Sequence, residues 1–254
     1  APHDTPSRRL LERLADSGQN GLDPVVLIPL LKLLAHGEPV EVADLAAAAG
    51  LSDTEVRARL AAVPDTEYDD AGRIVGQGLT LRPTPHRLTV DGQELYTWCA
   101  LDTLIFPTLL ERAARVESVS AASGQPITIA VEPDRVTRVG PATAVVSVLN
   151  PDGASIRSSF CNQVHFFTSN EDAADWLADH PEGQVLPVAD AYQLATDLTT
   201  VMHHATDEAI TTGSPHAVGS EAPTCCQARP LLGAGSDKAD DVVNVNRPEP
   251  GANG

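Results

Sequence analysis

The chain has 254 residues, 42% of them hydrophobic and only 4% aromatic, and a formal net charge of −18. That length buries a real core in one large domain or two small ones, with aliphatic side chains doing most of the packing. The acidity repels nucleic acid and anionic lipid and argues against an anionic substrate. No run approaches the roughly 20 apolar residues that span a bilayer, and the polar opening stretch, residues 1–9, lacks the hydrophobic core of a secretory signal. A cytoplasmic protein with no membrane or nucleic-acid partner is therefore expected. The four cysteines, Cys99, Cys161, Cys225 and Cys226, are too few and too scattered for a disulfide scaffold. In a reducing compartment they are free thiols, and a free thiol is either a small buried hydrophobe or a chemical group at work.

Residues 1–19 are polar and read as a flexible N-terminus. Asp23 to Leu34 is a strongly apolar helical run with a stop at Gly37. Val42, Leu45, Ala46 and Ala49 share one helical face, and Gly50 ends that helix. Ser52 with Glu55 three residues on forms a capping box for the next helix, which turns Val56 and Leu60 inward. The stretch TEYDDAGRIVGQGLTL then reads as a hairpin turning at Asp70-Ala71-Gly72. Helices followed by a hairpin predict a winged-helix-like domain over residues 20–82. DNA binding is the obvious use of that outline, but the second helix offers only Arg57 and Arg59, beside Asp53 and Glu55. Neutralising phosphates takes several basic groups on one face. A helical domain that packs on a catalytic domain is the better reading.

From His86 the signals change. A strand-like run, a turn at Asp91-Gly92 and an apolar helical stretch around Cys99 to Leu110 follow in order, with Pro107 set to kink or reset that helix. The segments ESVSAAS, PITIAVEP, RVTRVGP, AVVSVLN and SIRSSFCNQVHFFTS are rich in Val, Ile and Thr and punctuated by Gly or Pro, so they read as strands of an antiparallel sheet. A short helix is expected over residues 171–177, capped by Ser169 or Asn170. Another is expected from Val188 to about Ala209, with Ala191, Leu194, Leu198, Val201 and Met202 near helical spacing. Residues 83–212 thus form a mixed α/β domain on antiparallel sheet, and the whole is α+β. Residues 213–254, acidic and poor in large apolar groups, read as a disordered tail holding Cys225-Cys226.

The chemistry concentrates around two cysteines. Cys99 and Asp102 are three apart, a spacing that puts both on one side of a helix. Their neighbours are otherwise apolar, and a carboxylate there is costly unless paired, protonated or in use. Two readings stand on pattern alone: a thiol–carboxylate pocket, or an Asp102 that caps backbone beside a Cys99 that fills space. Cys161 and His165 make C-x3-H, a weak zinc signal without a second close pair of ligands, so His165 reads first as a core or strand histidine. No phosphate-binding, dinucleotide, nucleophile-elbow or zinc-protease motif occurs.

The blocks TEYDDAGRIVGQGLTLRPT, LYTWCALDTLIFPTLLERAARV and SFCNQVHFF closely resemble the organomercurial lyases of bacterial mercury-resistance systems, over about residues 20 to 205. The resemblance implies a reaction, R–Hg⁺ plus a proton giving R–H and Hg²⁺. It also implies catalytic roles for Cys99, Asp102 and Cys161, which would then hold the product Hg(II). Trp98 and Phe160, next to the two cysteines, are candidates for lining the pocket of the organic group. No organic cofactor is expected. External small thiols would deliver the substrate and help remove the product, a mercuric reductase would accept the Hg(II), and Cys225-Cys226 is a candidate handoff pair. The alternative is a non-enzymatic protein that sequesters or delivers mercury. Some relatives carry a further cysteine where this chain reads Ser118-Val119-Ser120, and some a second one at Asn162.

Overall fold

A computed structural model of the chain describes residues 23–150 and 155–212. The expected flexible N-terminus, residues 1–19, and the acidic tail with Cys225 and Cys226 lie outside the described residues. Among the described residues three helices come first: α1 (Pro24–Leu34), α2 (Val42–Ala49) and α3 (Asp53–Ala61). The Asp23 side chain caps α1 by accepting from the Val25 N–H, and proline fills the first turn, where its missing N–H is no loss. Gly50 closes α2 in the left-handed conformation, φ 68°, which a side chain would strain. Ser52 and Glu55 form the expected capping box at α3.

Strands β1 (Glu67–Tyr68), β2 (Ile74–Gln77) and β3 (Leu79–Thr80) make the hairpin, followed by β4 (His86–Val90) and β5 (Gln93–Thr97). Asp91 and Gly92 both take positive φ, 51° and 82°, so the β4–β5 turn twists with the strands it joins. Helix α4 (Asp102–Leu110) leads to β6 (Ala114–Val119), β7 (Pro126–Glu132), β8 (Arg135–Gly140) and β9 (Val145–Val148). Then come α5 (Ile156–Ser159), a 3₁₀ turn (Cys161–Gln163), β10 (Phe166–Phe167), α6 (Ala174–Asp179), β11 (Gln184–Pro187) and α7 (Val188–Thr212).

The main sheet runs β1-β2-β3-β5-β4-β6-β7-β8, with every neighbouring pair antiparallel. Because Leu79 pairs with Thr97 and Thr80 with Tyr96, the N-terminal hairpin continues directly into the sheet of the following region. Strand β9 is the middle of a second, three-stranded sheet between β10 and β11. Helix α4 packs against α7 and α1. Leu30, Leu31, Leu34, Leu101, Leu104 and Leu88 are fully buried in one continuous core. Among the described residues, no helix is long and apolar enough to cross a membrane.

Three local expectations shift. The helix expected from Cys99 begins at Asp102, and residues 99–101 form the turn before it. SIRSSFCNQVHFFTS opens in α5 and a 3₁₀ turn rather than in a strand, because Ser155 caps α5 by accepting from the Ser158 N–H, and only Phe166 and Phe167 join the sheet. The short helix after Asn170 starts at Ala174 rather than residue 171, since Asp172 is engaged in the preceding turn through the Thr168 N–H and hydroxyl.

Candidate active site

The site begins with a tightly held turn. The Trp98 N–H donates to the Gly78 carbonyl at 2.8 Å, and Thr97 Oγ1 to the Cys99 carbonyl at 2.8 Å. Thr103 Oγ1 donates to the Ala100 carbonyl at 2.7 Å, and the Ala100 N–H to the Val164 carbonyl at 3.2 Å. With its backbone groups satisfied in this way, the turn has little freedom. At its end Asp102 opens α4, and its carboxylate folds back to accept from the Cys99 N–H at 3.2 Å. Both sequence readings of Asp102 are therefore correct in geometry: it caps a backbone group and it faces the thiol.

Cys161 arrives from a different segment, on the 3₁₀ turn after α5. The Cys99 sulfur, the Cys161 sulfur and a carboxylate oxygen of Asp102 all lie within 4.8 Å of one another. No other three metal-ligating side chains of the described residues gather in this way, and His165 is not part of the cluster. Both thiols are free and buried. Asp102 keeps some surface on the adjoining pocket, while its carboxylate itself is enclosed.

Burial sets the proton affinities. It lifts the Asp102 carboxyl to about 6, outweighing the hydrogen bonds from the Cys99 thiol and N–H that favour the carboxylate. Cys99 is held well above the ordinary thiol range, first by burial, then by its hydrogen bond to Cys161 and the Asp102 charge. For Cys161 the hydrogen bond from Cys99 lowers the value, but burial and the charges of Asp102 and Asp65 leave it raised overall. The Cys99 thiol therefore lies beside both Cys161 and Asp102.

The pocket over this cluster has about 50 Å³ of space and is walled by Trp98, Phe160, Ile105, Phe106, Leu27 and Met202, with Gln77 and Gly78 at one side. Trp98 and Phe160 both line it. Leu27 from α1 and Leu198 and Met202 from α7 had no local signal, because only the packing of three distant helices brings them here.

The segment carrying Cys161 is fastened to the N-terminal region. The Asp65 carboxylate accepts from Ser155 Oγ at 2.8 and 2.9 Å and from the Arg157 N–H at 3.1 Å. The Arg157 guanidinium pairs with buried Glu67 and lies 4.7 Å above the Trp98 ring. Asp65 and Glu67 are 90 or more residues from Ser155 and Arg157 in sequence, so no spacing pattern could reveal these contacts.

Two soft thiols and one carboxyl group of raised pKa, closed in by apolar side chains, define a site for a soft metal species and an acid–base step beside it. Comparisons with known proteins agree with that class. Residues 79–200 match the family described as alkylmercury lyase, and residues 7–78 match the helix-turn-helix domain of alkylmercury lyase. An alkylmercury lyase of Streptomyces lividans is 51% identical over 228 residues, 88% of this chain and 100% of the relative. One from Staphylococcus epidermidis is 54% identical over 171 residues, 67% of this chain and 79% of its own. One from Pseudomonas putida is 45% identical, covering 74% of this chain and 89% of its own. The crystal structure of the mercury-bound form of MerB2 shares the fold, with a TM-score of 0.64 over 78% of this chain and 100% of that one at 23% identity. The chain belongs to the alkylmercury lyase family.

Proposed function

We propose that this chain cleaves the carbon–mercury bond of organomercurials, with Cys99 and Cys161 as mercury ligands and Asp102 as proton carrier. The observation that carries this reading is the meeting of two sulfurs and one carboxylate within 4.8 Å at the base of an apolar pocket. The substrate is R–Hg bound to a small external thiolate. Cys161, which lines the pocket, displaces that thiolate, and its proton leaves on the departing thiol. Cys99 then gives its proton to Asp102 and joins the mercury as a second thiolate. Two thiolates push electron density through the soft metal onto carbon and make it basic enough to protonate. Asp102, whose apolar surroundings favour the protonated form, delivers that proton to carbon. The hydrocarbon R–H leaves, both electrons of the broken bond go to the new C–H bond, and Hg(II) remains on the two sulfurs with the Asp102 carboxylate free to ligate it.

The reaction uses no organic cofactor. Excess small thiol delivers the substrate and lifts off the product, and a cytoplasmic mercuric reductase is the acceptor this chemistry calls for. Cys225 and Cys226 lie outside the described residues, and their handoff role remains part of the proposal. The test is headspace gas chromatography of the purified protein with methylmercury and excess thiol. Methane from the wild type, and none from Cys99→Ala or Cys161→Ala, is the expected result. Tight mercury binding without methane would instead leave a sequestration protein.

A further inference from the structure

The space over the cluster is small. At roughly 10–15 Å³ per water-sized group, its 50 Å³ takes about three to five such groups. A methyl or ethyl group with its mercury fits within that. A phenyl ring, rigid and planar, exceeds it once mercury is added. Admitting an aryl group therefore requires one wall of the pocket to give way.

Most of the wall is fixed. The Trp98 N–H donates to the Gly78 carbonyl at 2.8 Å, and the Arg157 guanidinium lies 4.7 Å over the Trp98 ring. Phe106 is wedged against Gly78, where a Cβ would come within 2.8 Å of its ring. Phe160 sits on the arm that Asp65 fastens through Ser155 and Arg157, and its own N–H donates to the Ile156 carbonyl at 3.0 Å. Ile105 and Ile156 branch at Cβ, which leaves one strongly preferred rotamer in a helix.

Met202 differs in chemistry and in place. It is the sole methionine of the chain, and its unbranched, flexible side chain fills an irregular gap in more than one shape. Leu198 and Met202, four apart on one face of α7, line the pocket together. Among the described side chains of α7, Met202 is the last that is buried, while Val201 and residues 203–205 are exposed. At that edge of the core a long flexible side chain can fold aside, whereas the aromatic walls are hemmed in by packed neighbours. We propose that Met202 is a specificity-determining residue, the movable wall that lets the pocket admit aryl as well as small alkyl groups on mercury. This rests on the carbon–mercury lyase reading. A stiff residue of similar size at this position keeps the small-alkyl site and closes the aryl one. A short residue leaves the aryl site open.

The experiment measures kcat/KM for methylmercury and phenylmercury with excess thiol, from the methane and benzene released by the purified full chain. The quantity read is the phenyl-to-methyl ratio in wild type, Met202→Ile, Met202→Leu and Met202→Ala, which removes differences in overall rate between proteins. Expected is a ratio about tenfold lower in Met202→Ile than in wild type, and at least as high in Met202→Ala as in wild type. Met202→Leu conserves volume and is the swap a core tolerates best. Its ratio should fall several-fold, and it carries the comparison if another variant fails to fold. A ratio unchanged across the four proteins overturns this proposal alone, as does one that falls as far in Met202→Ala as in Met202→Ile. So does a wild type that releases methane but no benzene. A wild type that cleaves neither substrate overturns the lyase reading and this one with it.

Discussion

Asp102 and Asp172 are the same residue type in opposite surroundings. Asp172 sits beside the second sheet and accepts from Ser120 Oγ at 2.6 Å, Thr168 Oγ1 at 2.7 Å, Thr168 N–H at 2.9 Å and Ser123 Oγ at 3.0 Å. Desolvation raises its pKa, but these donors together outweigh it and hold the carboxyl at about 2. Asp102 has only the backbone and thiol of Cys99 beside it, and burial takes it to about 6. The balance between burial and the donors around a carboxylate decides whether it serves as a structural anchor or as an acid. The difference also has a cost: Asp102 spends folding stability to be useful, and Asp172 adds to it.

The largest expected effect separates the two in turnover. Asp102→Asn should lower methylmercury cleavage by about 10³-fold, the range of a lost general acid, whereas Asp172→Asn leaves the chemical step nearly untouched. Steady-state release of methane measures both. Equal losses would mean that Asp172 shapes the site, or that Asp102 does not act in it.

Stability should move the other way. The folded pKa of Asp102 lies above its ordinary value of 3.8. The ionised form is thus disfavoured in the fold, and the penalty is fully present above pH 6. By linkage it amounts to as much as about 3 kcal/mol. Asp102→Asn should therefore be more stable than wild type at pH 8, and the gain should shrink as pH falls from 6 toward 4. For Asp172 the folded pKa is lowered, so its contribution is present above about pH 4 and lost as pH falls toward 2. Asp172→Ala should be less stable at pH 7 and converge with wild type near pH 2. Urea unfolding across this pH range checks both slopes.

The smallest effect concerns a third aspartate. Asp65 fastens Ser155 and the start of α5, which carries the chain to Cys161. Asp65→Ala should cost about 1 kcal/mol, as a lost cap does. Its kcat/KM should fall only several-fold, because Glu67 still holds Arg157. A loss as deep as that of Asp102→Asn would move Asp65 from positioning the arm to taking part in the reaction.

Much of this was legible in the sequence where the controlling interactions are local. The capping box at Ser52 and Glu55, the glycine stop at Gly50 and the Asp91-Gly92 turn each involve a few adjacent residues and form where their chemistry dictates. Asp102 stood out because a carboxylate in an apolar run conflicts with its neighbours. The arm around Cys161 was misread as strand because its Ile, Val, Thr and Phe residues favour extended chain. Its cap at Ser155 depends on Asp65, 90 residues earlier.

The most direct test of Asp102 as proton carrier is a single-turnover experiment on Asp102→Asn with stoichiometric methylmercury. Thiol titration reports occupation of Cys99 and Cys161, and gas chromatography of the quenched headspace reports methane. Thiols that are consumed while methane fails to appear locate the defect at protonation of carbon, the result expected here. Methane released at the wild-type rate would contradict the role of Asp102 outright and leave the two thiols to find their proton elsewhere.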